Sequence, residues 1–347
     1  MKPAYPIALL FTAAVLHARE TPVKPTPEPS APQARATPAK PEKADEDTYP
    51  STVPAPTHSE VRYGPHARNV LDFWQAKSGK PAPLVLVIHG GGWNAGSKER
   101  VNRFAEVQAL LDAGISVAAI NYRLIPQVRD EGVTPPVKAP LHDAARALQF
   151  LRSKAGEWNI DASRIGAAGG SAGACTSLWL AYHDDMADPR SDDPVARQST
   201  RLTCAAVIGA QTTLDPKQAK EWIPNSRYGG HAFGKTSFAQ ALNERESILP
   251  WIAEYSPYAL ASKDDPPVSL FYPKAPAMGK NQADPTHSAN FGIGLQQRCK
   301  ELGIACDVIY PGAADIKHPS PTAYLIAMLS APETTPRAEG GTIETTR

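Results

Sequence analysis

Little in this chain of 347 residues points to a charged partner, because 36 Lys and Arg are set against 35 Asp and Glu for a formal net charge of +1. A chain so balanced has no electrostatic attraction for nucleic acid or an anionic membrane, and no basic stripe stands out. Cysteine is scarce, with four residues at 175, 204, 299 and 306. None forms a close Cys/His pair, so no metal or cofactor is expected. Long apolar runs are missing too. The stretch from Pro6 to Leu16 is too short to span a bilayer. No cysteine lies near it, which argues against a lipid anchor, and no internal repeat is found.

What is present suits one large α/β domain with an appendage. Lys2 followed by the short apolar run reads as a secretory signal over 1–18, with a possible cleavage point at His17-Ala18. Export to a secreted or periplasmic location follows, without stable membrane insertion once the signal is removed. Residues 19–56 hold ten of the 35 prolines and almost no large apolar side chain. Such a segment does not bury enough surface to offset its ordering entropy, so it is expected to be a disordered linker. The folded domain is expected over 57–332, with a flexible tail over 333–347. An even cysteine count in an exported chain permits disulfides. Cys175 and Cys204 fall on an expected core helix and core strand, where free thiols act as small apolar residues. A local Cys299–Cys306 bridge stays open.

The folded part opens with two expected edge strands, His58–Tyr63 and Asn69–Trp74, joined at Gly64-Pro65. Strands are then expected at Leu84–Ile88, Ile115–Asn121, Arg164–Ala168, Thr203–Gly209, Val268–Tyr272 and Ala305–Tyr310, with helices between them. One helix is expected around Asn102–Ala113. Another runs from about Leu141 to Lys154, where Leu141, Ala145, Leu148 and Leu151 recur at helical spacing. Apolar strands alternating with helices imply a mostly parallel sheet covered on both faces, with ligands at the carboxyl ends of its strands.

Two glycine-rich motifs sit at such ends. His89-Gly90-Gly91-Gly92-Trp93 follows the Leu84–Ile88 strand, and Gly169-Gly170-Ser171-Ala172-Gly173 follows Ile165–Ala168. The second reads as a nucleophile elbow that lifts a serine hydroxyl above the sheet. The first offers free backbone N–H groups to an oxyanion. These motifs, with Ile120-Asn121-Tyr122-Arg123-Leu124 and Asn159-Ile160-Asp161-Ala162-Ser163-Arg164-Ile165, resemble the HGGGW-type esterase/lipase branch of the α/β-hydrolase superfamily. The resemblance covers roughly residues 59–329. It implies an α/β-hydrolase fold with a cap-like insertion, and a triad in the chain order Ser, Asp or Glu, His.

On that pattern Ser171 is the nucleophile, and Gly91, Gly92 and Ala172 supply the oxyanion hole. His89 precedes the serine and so braces its loop. The base is expected after the last strand, at His318, although the loop from Pro311 is longer than the resemblance implies. The acid is expected at Asp284, in Asp284-Pro285-Thr286-His287, about eleven residues past its strand. Asp215 is the alternative, and Asp315 is merely close to His318 in sequence. Two stretches decorate the core. Residues 182–198 read as a solvated acidic loop, not a calcium loop. Residues 211–263 carry Trp222, Tyr228, His231, Phe233, Trp251, Tyr255 and Tyr258, which either line a cleft or form the insertion's own core. The function expected is exported ester hydrolysis on acylated carbohydrate or small esters. A serine peptidase and a non-catalytic binding protein on the same fold are the alternatives.

Overall fold

The structure is a computed structural model that describes residues 48–331. The expected signal segment, most of the expected linker and the expected tail lie outside those residues. One sheet of eight strands organises the domain: β1 (His58–Arg62), β2 (Val70–Trp74), β3 (Ala82–Ile88), β4 (Ser116–Ile120), β5 (Ile160–Gly170), β6 (Cys204–Ile208), β7 (Val268–Phe271) and β8 (Cys306–Ile309). Their spatial order is β1-β2-β4-β3-β5-β6-β7-β8. β1, β2 and β4 pair antiparallel, and every other pairing is parallel. Of the two expected edge strands only β1 lies at an edge, because β2 is enclosed between β1 and β4.

The helices are α1 (Val107–Asp112), α2 (Ile125–Asp130), α3 (Lys138–Ser153), α4 (Ala172–Tyr182), α5 (Pro216–Trp222), α6 (Phe238–Asn243), α7 (Arg245–Tyr255), α8 (Pro257–Leu260), α9 (Ala289–Leu302) and α10 (Pro321–Ser330). Alternation along β3 shows why both faces of the sheet are covered. Leu84, Leu86 and Ile88 enter one core beside Leu141, Leu148 and Leu151 of α3. Val85 and Val87 enter the other, beside Leu110 of α1 and Leu325 and Leu329 of α10. The four cysteines are free and buried.

One expected helix is broken. In place of a continuous helix over 102–113, a 3₁₀ segment covers Lys98–Arg103 and α1 starts at Val107. Asn102 Oδ1 accepts from the Val107 N–H at 3.0 Å, and Thr322 Oγ1 accepts from that of Glu106 at 3.0 Å. Side chains thus satisfy the first N–H groups of a new helix, so the chain restarts there.

The expected linker also ends earlier than its composition implies. Tyr49 donates to Asp72 Oδ2 at 2.6 Å and meets the Trp74 ring edge-on at 5.2 Å. Val53 is buried, and Trp74 Nε1 donates to the Pro54 carbonyl at 2.7 Å. Under this strap Glu60, Asp72 and Glu99 form the one trio of potential metal ligands among the described residues. The Lys98 ammonium already lies among them, at 2.5, 3.0 and 2.6 Å. Burial alone would lower the lysine pKa, but these three carboxylates outweigh it and raise it. A chain beginning at residue 57 is therefore expected to be less stable than one beginning at 48. Loss of the buried Val53 and the Tyr49–Asp72 bond should cost about 2–3 kcal/mol, roughly 5 °C in thermal midpoint. Equal midpoints for the two truncations would show that the strap contributes nothing.

Candidate active site

Adjacent strands β3 and β5 pair in parallel with Ile88 opposite Gly169, so both glycine motifs emerge side by side. Ser171 sits between β5 and α4 with φ 53° and ψ −119°. This is a costly conformation for a residue with a Cβ, on the order of 1–3 kcal/mol, held by the packing around it. Its N–H donates to the Ile208 carbonyl at 2.9 Å. Gly173 lets α4 press against β3, since a Cβ there would lie 2.1 Å from the Ile88 carbonyl oxygen.

The glycine loop after β3, expected to serve an oxyanion, is braced from several sides. His89 stacks on Tyr122 with ring centroids 4.1 Å apart, and its Nδ1 donates to the Gly90 carbonyl at 2.8 Å. Arg68 donates to the carbonyls of Gly96 and Tyr122 at 2.7 and 2.8 Å and reaches His89 Nε2 at 3.4 Å. Trp93 is fully buried and donates to Thr176 Oγ1 on α4 at 3.0 Å. Gly91 carries φ +107°, and a Cβ there would lie 2.1 Å from the Ala95 carbonyl oxygen, so this turn admits only glycine. Gly91 lines the cleft in front of Ser171, whereas Gly92 and Ala172 are not among its lining residues. Ala172 follows the serine as the first residue of α4, where the backbone N–H has no partner within the helix.

The partner of Ser171 is His287, not His318. His287 Nε2 is 3.0 Å from Ser171 Oγ, and His287 Nδ1 is 2.9 Å from Asp284 Oδ2. A carboxylate only accepts, so Nδ1 carries the proton and Nε2 is left to accept from the serine hydroxyl. The cause is local. Asp284 Oδ1 accepts from the N–H groups of Thr286 and His287 at 3.1 and 3.2 Å, forming a turn that folds the imidazole back over its own carboxylate. Gln211, at the end of β6, then ties the turn to the sheet by donating to the Thr286 carbonyl at 2.6 Å and that of Gly209 at 3.1 Å. His318 lies in the loop between β8 and α10, half-buried, with its ring edge-on to Tyr324 at 5.5 Å.

Of the two candidate acids, Asp284 reaches the imidazole and Asp215 does not. Asp215 caps α5 through Lys217 N at 2.9 Å and holds Arg245 in a two-pronged pair at 2.8 and 2.6 Å. Asp315 is exposed, with no bond to the site. Partial burial pushes the Asp284 carboxyl upward. Its bonds from His287 and the backbone N–H groups outweigh that and hold it below the usual carboxylate range. The Asp284 and His287 side chains are still 53% and 37% exposed, so water screens the pair.

The cleft has a volume of about 310 Å³. Arg100, Arg103 and Phe104 line it beside Ser171 and His287, all three carried by the 3₁₀ segment and its end. None of the seven aromatic and histidine residues of 211–263 named above lines it. They pack into the domain interior instead: Phe233 and Tyr255 share the core of Leu84 and Leu86, Trp251 lies against Phe233, and Trp222 lies against Tyr258 and Phe291 of α9. Two of them touch the glycine loop: His231 donates from Nε2 to the Gly92 carbonyl at 2.9 Å, and the Tyr228 ring packs on Trp93 at 6.4 Å between centroids. In the acidic stretch Asp185, Asp188 and Asp193 accept from backbone N–H groups two residues on, in tight turns.

An eight-stranded, mostly parallel sheet with a serine elbow after its central strand is the α/β-hydrolase fold, and solved structures of that fold resemble it. A carbohydrate esterase from gut microbiota aligns over 82% of this chain and 100% of its own, at 19% identity and a TM-score of 0.61. The acetyl ester-xyloside bifunctional hydrolase of Caldicellulosiruptor lactoaceticus aligns over 70% of this chain and 77% of its own, at 24% identity and a TM-score of 0.53. Residues 71–281 match the BD-FAE family, and the chain belongs to that family. Among curated relatives, carboxylesterase NlhH of Mycobacterium tuberculosis is 32% identical over 109 residues, 31% of this chain and 32% of the relative. A non-reducing polyketide synthase of Penicillium rubens is 33% identical over 162 residues, 44% of this chain. The chain thus spans only 6% of that synthase and about a third of the carboxylesterase. The family match stops just short of Asp284 and His287. No helix among the described residues is long and apolar enough to cross a membrane.

Burial, followed by the charges of Arg68 and Arg100, lowers His89 to about 3. His142, desolvated near Lys138, is lowered to about 4. Both stay neutral in the fold while the unfolded chain takes up their protons near pH 6.5, so each withdraws stability as pH falls from 6.5 toward its folded value. Asp265 acts in the opposite sense. Burial raises it to about 6, so the folded state gains its proton first. His231, also lowered by burial, adds to the side of the two histidines, so the native state is less stable at pH 4.5 than at 7.5. Thermal unfolding at the two pH values checks this, and an equal or higher midpoint at pH 4.5 would contradict it.

Proposed function

We propose that the protein is a serine esterase in which Ser171, His287 and Asp284 act as nucleophile, base and acid. The observation that carries this reading is the continuous relay from Asp284 Oδ2 through His287 to Ser171 Oγ, at 2.9 and 3.0 Å. The strained elbow presents the hydroxyl to the cleft, and the glycine loop supplies N–H donors across from it. Ser171 Oγ bonds to the ester carbonyl carbon as its proton passes to His287 Nε2. The oxyanion gathers the N–H groups of the Gly91 loop and Ala172. The ester C–O bond breaks, the alcohol takes the proton from His287, and an acyl-enzyme remains. Water then adds with its proton going to the same nitrogen, the acid departs, and Ser171 regains its proton. Asp284 holds the Nδ1–H tautomer and stabilises the imidazolium.

Small esters and acylated carbohydrates are the substrate class favoured by membership of the BD-FAE family and by likeness to a carbohydrate esterase and an acetyl ester hydrolase. The reading of residues 1–18 as an export signal places the enzyme outside the cytoplasm.

Hydrolysis of p-nitrophenyl acetate and butyrate tests the assignment. Ser171→Ala and His287→Ala are expected to lower kcat by about 10³-fold or more, and Asp284→Asn by less, since water already screens that pair. His318→Ala and Asp215→Ala are expected to stay within a few-fold of the parent. A parent that folds but turns over neither ester would oppose the esterase reading, and a large loss with His318→Ala would return the base to the β8–α10 loop.

A further inference from the structure

Arg100 and Arg103 have no part in the relay, yet both line the cleft into which Ser171 opens. Arg103 is exposed there, and among the described residues nothing accepts a hydrogen bond from it or pairs with its charge. Two acids, Glu99 of the same segment and Asp284 of the cleft wall, are engaged with other groups. Glu99 holds Lys98 Nζ at 2.6 Å, and Asp284 holds His287 Nδ1 at 2.9 Å. The 3₁₀ segment Lys98–Arg103 puts the two guanidinium groups three residues apart, one 3₁₀ turn, so they rise from the same face. Phe104 completes the wall, and its ring would meet a Cβ on Gly170 at 2.2 Å, so this wall is seated directly against the elbow. An exposed guanidinium with no partner among the described residues, Arg103, on the wall of a small cleft whose one carboxylate is already paired, and with a second guanidinium beside it, suits a carboxylate.

Resting on the esterase reading, we infer that Arg100 and Arg103 form an anion subsite and that the preferred substrates are esters bearing a carboxylate near the scissile bond. Such a carboxylate belongs either to the acyl half, as in a half-ester of a dicarboxylic acid, or to the alcohol half, as in an O-acetylated uronic acid. In both cases the arginine charges act on binding and orientation, while Ser171 and His287 act on the carbonyl.

The test compares isosteric pairs on the full chain. For the acyl half the pair is the p-nitrophenyl monoester of glutarate against p-nitrophenyl valerate, and for the alcohol half O-acetylated methyl galacturonoside against the O-acetylated methyl galactoside. The charged member is expected to show at least tenfold higher kcat/KM in one pair, and that pair locates the carboxylate. The ratio of charged to neutral kcat/KM should shrink as salt is raised from 20 to 500 mM, and fall about tenfold in Arg103→Gln and again in Arg100→Gln. Ratios near one in both pairs, or a preference that survives both substitutions, would overturn the subsite. Failure to hydrolyse the neutral members as well would instead overturn the esterase reading beneath it.

Discussion

The close crossing of α4 over the end of β3 is the constraint from which the rest of the site follows. Gly173 lies so near the Ile88 and His89 carbonyls that no Cβ fits between them. That approach forces the chain to reverse sharply after Gly170, and Ser171 absorbs the reversal at a positive φ. The strain is sustained because neighbours over-determine it: Ile208 accepts from the Ser171 N–H, and Cys175 donates back to the Ser171 carbonyl. The same crossing puts the oxyanion loop within reach of the elbow, and the Trp93–Thr176 bond locks the two together.

From that crossing outward the site is assembled by elements far apart in sequence. The turn carrying Asp284 and His287 belongs to a long connection after β7, and that connection is fastened to the helical insertion. Asn225 and Gln282 exchange two hydrogen bonds, Gly279 donates to the Trp222 carbonyl, and Asn290 donates to the same carbonyl and to that of Ala277. Through Gly92 the insertion also touches the oxyanion loop. Its aromatic residues therefore serve the site by stiffening both sides of it, and they do so from within the core shared with the sheet.

Much of this was legible in the sequence, and the failures have identifiable causes. The strands were readable to within a few residues because each is a short apolar run, and α3 because its leucines recur at helical spacing. The elbow and the oxyanion loop were readable because backbone geometry restricts those positions to glycine and small residues. The break before α1 was hidden, because Asn102 caps the new helix by a side-chain bond that periodicity does not report. Tyr49 and Val53 were absorbed into a proline-rich composition, although two well-placed side chains suffice to dock a short strap. His287 was passed over by the expectation that the base follows the last strand. The three groups that meet stand in the order serine, aspartate, histidine along the chain. What the sequence did not reveal was that the last two share one turn.

That arrangement divides the control of the relay between two scales. The distance from Asp284 to His287 is set by three residues of backbone and by two N–H bonds to the same carboxylate, so it forms wherever that turn forms. The distance from His287 to Ser171 has no local guarantee, because 116 residues separate them. It rests on Gln211, which is fully buried and uses its amide N–H groups to bind the turn to the end of β6. Its Oε1 finds no protein partner, a desolvation cost of about 1–3 kcal/mol that a core position chosen for stability alone would avoid. The imidazole's tautomer is thus a property of the loop, whereas its reach to Ser171 is a property of the whole sheet.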